Sequence, residues 1–252
     1  MLEKVTAELL AETFLSKGFL ENLSKASEIT NETYNETGFT NYFDVNSGKI
    51  INGDIKIGTY FGMENAGLRE SQENSPLMGL LGIDIHFHPL TNGPVFPSDG
   101  DLTLASNMNE GMIYVSEDNS WYDVEIKPLC VIGKARAEGD IELLLYNAKG
   151  NLHEGNIERV DRTLIEYLDE RGIEPYEEEI SNSKIKTSEV RDLMENSGCY
   201  NAEVLNFSNE IHDIKNLAKV RNSMTEEVSE KMKKFEYALN YQKSDTSFID
   251  SL

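Results

Sequence analysis

The sequence predicts a mixed α/β domain over residues 1–150, followed by a mostly helical extension over residues 151–252. Three observations carry this expectation. A helical apolar stripe opens the chain. Short strand-like runs follow, separated by Gly, Asn and Asp. After Gly150 the strand signal fades and helical spacing returns.

The first element is expected to be a helix over residues 2–28. Val5, Leu9, Phe14, Phe19, Leu20 and Leu23 recur at roughly helical spacing, with Gly18 as a break or kink. Strands are then expected at Gly38–Val45, Lys49–Ile57, Leu80–His88, Gly111–Ser116, Val124–Lys134 and Ile141–Asn147. Trp121 and Tyr122 are expected to pack on a strand face. The polar, Gly-containing stretch Thr59–Pro76 reads as a long connection or a loop beside a site. Residues 101–109 read as a short helix starting at Asp99 or Asp101.

In the extension, Ile157, Val160, Leu164, Tyr167 and Leu168 form a helical stripe that ends near Gly172 and Pro175. A second stripe runs from Ile211 to Leu239, and Ser223–Glu226 has the capping-box pattern that would restart a helix. That stripe must bury against its own domain or against a second copy of the chain. The tail from Lys243 to Leu252 is expected to fray.

A formal charge of −22 opposes binding to nucleic acid or to anionic membranes, because both need clustered Lys and Arg. Cys130 and Cys199 are far apart and form neither a disulfide framework nor a zinc-ribbon spacing; Cys130 lies in an apolar run and reads as a buried thiol. Acidic residues near Met1 and the lack of an apolar run of membrane-spanning length point to a cytoplasmic protein.

The chemistry concentrates in Ile83-Asp84-Ile85-His86-Phe87-His88-Pro89 and in Pro97-Ser98-Asp99-Gly100-Asp101. Alternate side chains of a strand share a face, so His86 and His88 point the same way. Asp101 arrives after a Gly/Pro-rich turn. Two imidazoles and a carboxylate form a three-ligand set for catalytic zinc, leaving a fourth position to water. His153 and His212, the other two histidines, sit in polar settings and read as surface residues.

With Glu36 upstream, the pattern Glu36, His86-Phe87-His88-Pro89 and Ser98-Asp99-Gly100-Asp101 resembles the JAMM motif of the JAB/MPN metalloprotease family. The resemblance covers about residues 1–150. It implies a JAB/MPN-like (cytidine-deaminase-like) mixed sheet flanked by helices, with the C-terminal helical extension lying outside it. It also implies Zn2+ held by His86, His88 and Asp101, Glu36 as the proton shuttle, and Ser98 as the hydrogen-bond donor to the oxyanion. Zinc lowers the pKa of its water from 15.7 to about 7.

Family members cut amide or isopeptide bonds, often after the C-terminal glycine of a ubiquitin-like protein. The expected substrate is therefore a ubiquitin-like or sulfur-carrier-like protein. A homodimer through the C-terminal helices is a further possibility.

Two features depart from the family pattern. Nine residues, Pro89–Pro97, separate His88 from Ser98 where the family usually has seven, and Asn92-Gly93-Pro94 is a turn that can absorb the excess. Phe87 stands where the family usually has Ser or Thr; on a strand it points away from the metal, into the core. Glu32 and Glu64 compete with Glu36 for the shuttle role, and Gly38 with its following strand favours Glu36. Two alternatives stand beside this reading. One is a catalytically silent MPN-type scaffold. The other is an amidohydrolase-type metal hydrolase using Asp84-x-His86-x-His88, with His153 and His212 as later ligands.

Overall fold

The computed structural model describes residues 4–44, 49–59, 80–89, 92–107, 112–115, 121–125, 129–136, 138–150, 152–175, 177–238 and 240–243. After a two-residue strand, β1 (Lys4–Val5), the expected leading helix is two helices, α1 (Ala7–Phe14) and α2 (Lys17–Thr33). The break falls at Ser16, not Gly18. Ser16 Oγ accepts the Phe19 N–H at 3.2 Å and caps α2, as Thr6 caps α1. Gly18 is small for packing: a Cβ there would lie 2.6 Å from Nδ2 of Asn52. Tyr34, at φ 56°, ends α2 with its N–H on the Thr30 carbonyl.

Strands β2 (Thr37–Asp44), β3 (Lys49–Asn52), β4 (Lys56–Ile57) and β5 (Leu80–Phe87) follow. The single strand expected over 49–57 is two: β3 pairs with Asn41–Asp44 and β4 with Thr37 and Gly38 of β2, in registers that differ by one residue. Next come α3 (Asp99–Asn107), β6 (Met112–Val115), β7 (Trp121–Glu125), β8 (Leu129–Ala135) and β9 (Ile141–Ala148). The run expected as one strand over 124–134 is divided between two sheets. Beyond it lie α4 (Glu154–Asp169), α5 (Glu177–Asn182), α6 (Thr187–Asn196), β10 (Tyr200–Phe207), α7 (Leu217–Met232), β11 (Tyr237–Ala238) and β12 (Asn240–Lys243). Lys243, expected to open a frayed tail, instead closes β12, which pairs with β7, and residues 244–252 lie outside what is described. The side chains of Trp121 and Tyr122, and residues 60–79, lie outside what is described.

The main sheet has seven strands in the order β10-β9-β8-β5-β2-β3, with β4 also on β2. It is mixed: β5 and β8 run parallel and the other pairs antiparallel. A smaller sheet orders β12-β7-β6, and β1 pairs with β11.

Strand alternation divides the apolar residues between two cores. Ile83, Ile85 and Phe87 of β5, with Leu143 and Leu145 of β9 and Leu205 and Phe207 of β10, face α1, α2 and α7. Ile132, Leu144, Tyr146, Tyr200 and Ala202 face α3, α4, α5 and α6. The protein is thus a mixed α/β fold with helices on both faces of the sheet. No helix among the described residues is long and apolar enough to cross a membrane.

The boundary expected at residue 150 falls inside this architecture. All eight residues of β10 pair with β9. Helices α4–α6 cover one face of the sheet and α7 covers the other. The stripe beginning at Ile211 buries Val220, Met224, Val228, Met232 and Phe235 in the core that α1 shares. That packing buries the apolar stripe within the chain. The capping box expected at Ser223 is also absent: Ser223 lies in the middle of α7, its hydroxyl donating to the Val220 carbonyl at 2.9 Å.

Candidate metal centre

The site is built at the end of β5, on the sheet face under α3 and α4. Because Ile83, Ile85 and Phe87 fill the opposite core, Asp84, His86 and His88 face this side. Phe87 is fully buried, as its position on the strand predicts. It rests on Gly133, where a Cβ would lie 2.6 Å from the Phe87 ring. His88 lies just past the strand, and its N–H donates to the Gly133 carbonyl at 3.0 Å. Gly38 of β2 pairs with His86, and a Cβ at Gly38 would lie 2.2 Å from the Ile85 carbonyl oxygen. The glycine therefore lets β2 approach the histidine strand.

Asp101 comes from the first turn of α3. Ser98 and Asp101 cap that helix reciprocally. The Ser98 N–H and hydroxyl donate to Asp101 Oδ2 at 2.7 and 2.8 Å, and Ser98 Oγ accepts the Asp101 N–H at 3.2 Å. Tyr146 of β9 and Tyr200 of β10 donate their hydroxyls to the carbonyls of Asp101 and Leu102 at 3.2 and 3.0 Å. The carboxylate is thus held both by its cap and by the sheet beneath it.

The Nε2 atoms of His86 and His88 lie 3.2 Å apart. Asp101 Oδ1 is 3.1 Å from the first, and Oδ2 is 3.6 Å from the second. A tetrahedral ion with bonds of about 2.0–2.1 Å to such donors separates them by roughly 3.3 Å. The three side chains therefore fit a single metal ion, and among the described residues they are the one such grouping of His, Cys, Asp and Glu.

Electrostatics couple the group. Burial opposes a charged His86, but the Asp101 carboxylate outweighs it, with help from Glu36 and Asp84, and raises its pKa to about 9. Burial likewise opposes a charged Asp101, and the two imidazoles overcome it and hold this carboxyl well below the usual range. Asp84 is raised by burial, opposed by His86 and by the Thr40 hydroxyl 2.8 Å from its Oδ1.

A pKa raised above 6.5 stabilises the fold fully below pH 6.5, and the stabilisation is lost as pH rises through about 9. Metal-free protein is therefore expected to lose thermal stability between pH 6.5 and 9. A bound ion displaces the proton and should remove this dependence. Melting curves with and without a chelator across that range check it; equal pH slopes would reject the coupling.

Glu36 sits immediately before β2. Its N–H donates to the Thr59 carbonyl and its carbonyl accepts the Gly58 N–H, at 2.9 and 2.8 Å. Continuing the register of Gly38 with His86 places Glu36 beside His88 on the same face. Both residues line a cavity of about 480 Å³ that Ser98 and Lys134 also line.

The rival Glu32 is exposed on α2, and Glu64 lies outside the described residues. His153 is exposed at the start of α4. His212 is partly exposed at the surface, as expected, but it is also bonded on both ring nitrogens. Its Nδ1 meets Ser24 Oγ and Glu28 Oε1, each at 2.9 Å, and its Nε2 meets the Gly139 carbonyl at 2.8 Å. It clips α2 to the β8–β9 turn and takes no part in the metal group.

Sequence reasoning passed over Lys134. It is 1% exposed and donates from Nζ to the Asn92 carbonyl at 3.3 Å. A lone cation in the apolar run Leu129–Ala135 was the available signal, since lysine is rarely buried without a reason. The cavity's other wall, from α4 and α5, had no signal in the motif. Comparison of the chain with protein-family models, with curated proteins and with solved structures gave no match.

Proposed function

We propose that the protein is a zinc-dependent hydrolase of the JAB/MPN type, cleaving the amide or isopeptide bond that follows the C-terminus of a ubiquitin-like or sulfur-carrier-like protein. The observation that carries this reading is the meeting of residues from three separate segments. His86 comes from the end of β5 and His88 from just past it, Asp101 from α3, and Glu36 from the residue before β2, lining the same cavity as His88. The seven-stranded mixed sheet with helices on both faces is compatible with a JAB/MPN-like fold.

His86, His88 and Asp101 would hold the ion. When bound, zinc supplies a Lewis acid and lowers the pKa of its water towards neutrality. The Glu36 carboxylate takes a proton from the attacking water and returns it to the amide nitrogen as the C–N bond breaks. Ser98 Oγ has one proton, directed at Asp101 Oδ2 in the resting state. Turning it towards the substrate oxyanion leaves Asp101 still held by the Ser98 N–H. Such a donor contributes about 3–4 kcal/mol in the transition state.

Elemental analysis of wild type beside His88→Ala tests the metal assignment. Wild type should hold about one zinc per chain and the variant much less, since a lost ligand weakens a three-ligand site severely. Equal content would remove His88 from the site. Incubating the full-length zinc protein with ubiquitin-like and sulfur-carrier proteins carrying an amide-linked C-terminal amine tests the reaction, read by mass spectrometry. Binding without cleavage would identify a scaffold.

A further inference from the structure

The cavity beside the metal group is not formed by the motif segments alone. Its wall away from Glu36 and His88 comes from α4 and α5, through Asp161, Ile165 and Ile180, with Phe96 and Asp99 alongside. These elements lie beyond the motif: α4 packs on α3 and α6, and Ile180 of α5 joins the core on the same face of the sheet. At about 480 Å³ the space lies within the range of about 300–1,000 Å³ typical of ligand pockets.

The wall has two chemistries. Ile165, Ile180 and Phe96 offer apolar surface. Asp99, at the first residue of α3, and Asp161, on α4, bring two carboxylates to the seam between those helices. No cation or hydrogen-bond donor is paired with either carboxylate among the described residues. Burial, and then the nearby Asp99, raise the Asp161 pKa. Lys134, the cavity's cation, belongs to the sheet end, where it donates to Asn92. The unrelieved charge at the seam is therefore negative.

We propose that Asp161, Ile165 and Ile180 are specificity-determining residues, forming with Asp99 a subsite for a lysine or arginine side chain of the substrate peptide near the bond to be cut. A long basic side chain answers both chemistries. Its aliphatic stem covers apolar surface while its charged head reaches the carboxylates. A glutamate there would face two like charges, and an apolar side chain would leave the carboxylate pair without a counterion. The subsite rests on the proposed hydrolase for its purpose, but its occupancy is measurable without turnover.

The experiment uses the full-length protein and three fluorescent peptides that differ at one central residue: lysine, norleucine or glutamate. Binding is read by anisotropy. The lysine peptide should bind about tenfold more tightly than the norleucine peptide, the value of one charge-assisted contact, with glutamate weakest. Asp161→Asn should erase most of that difference. Ile165→Ser should weaken the lysine and norleucine peptides alike, because it removes surface for the stem. Equal affinity for lysine and norleucine, a preference that survives Asp161→Asn, or no binding of any peptide up to about 1 mM would overturn the subsite. Lysine-selective binding without hydrolysis would leave the subsite standing and reject the hydrolase. Hydrolysis indifferent to lysine would do the reverse.

Discussion

Glu36→Gln is expected to leave zinc content unchanged and to slow amide hydrolysis by about 10²–10⁴-fold, the usual contribution of a positioned general base. Glutamine keeps the shape of the side chain but cannot take a proton from water. The backbone of Glu36 is fixed by its two hydrogen bonds to residues 58 and 59, so the substitution should not move β2. The metal should stay because the group placed to hold one is His86, His88 and Asp101, without Glu36. Side-by-side elemental analysis and turnover measurements separate the outcomes. Loss of zinc would make Glu36 a ligand. Full activity would transfer the proton shuttle to Glu64 or Glu32. The second transfer would require an exposed residue of α2 to reach the cavity.

Ending the chain at Gly150 is expected to leave an insoluble or molten protein with lost near-UV circular dichroism, not a stable metal-binding domain. The truncation strips β10 from β9 and exposes β9 as a new sheet edge along its full length. It removes Leu205, Phe207, Ile211, Val228, Met232 and Phe235 from the core shared with α1, and Tyr200 from beneath α3. Fully buried side chains of this kind contribute about 1.5–3 kcal/mol each, so the loss matches or exceeds the whole stability of a typical domain, about 5–15 kcal/mol. Circular dichroism and zinc content of the truncated chain are the readouts. A folded, zinc-binding product would show that residues 1–150 form a separable unit after all.

Strands β2, β5, β6, β8 and β9 were legible because each is a short run of alternating or continuous apolar residues bounded by Gly, Asn or Asp, whereas β3 and β4 were read as one strand and the end of β7 was joined to β8. The histidine pair was legible for the same reason: two residues apart on a strand means one face. The helix carrying Asp101 was legible from Ser98 and the acidic residues around it, which make a cap whether or not a metal is present. β10 was not legible. Asn201, Glu203 and Asn206 interrupt its apolar residues, and Glu203 is accommodated only because Arg191 and Lys234 come to it from elsewhere in the fold. The division of the leading helix at Ser16 was missed because a serine inside an apolar stripe becomes a cap only when the backbone turns there.

By itself, then, the sequence determined most of the local elements before residue 150 and the face that each motif side chain takes, because strand and cap geometry depend on neighbours a few residues apart. Only the tertiary structure decided that residues beyond 150 belong to the same sheet and cores. It also decided that the stripe from Ile211 buries against α1, that His212 serves as a clip, and that α4 and α5 wall the cavity beside Glu36 and His88. An apolar stripe requires burial, but hydrophobic attraction has no direction, so the partner it finds is set by how the whole chain closes.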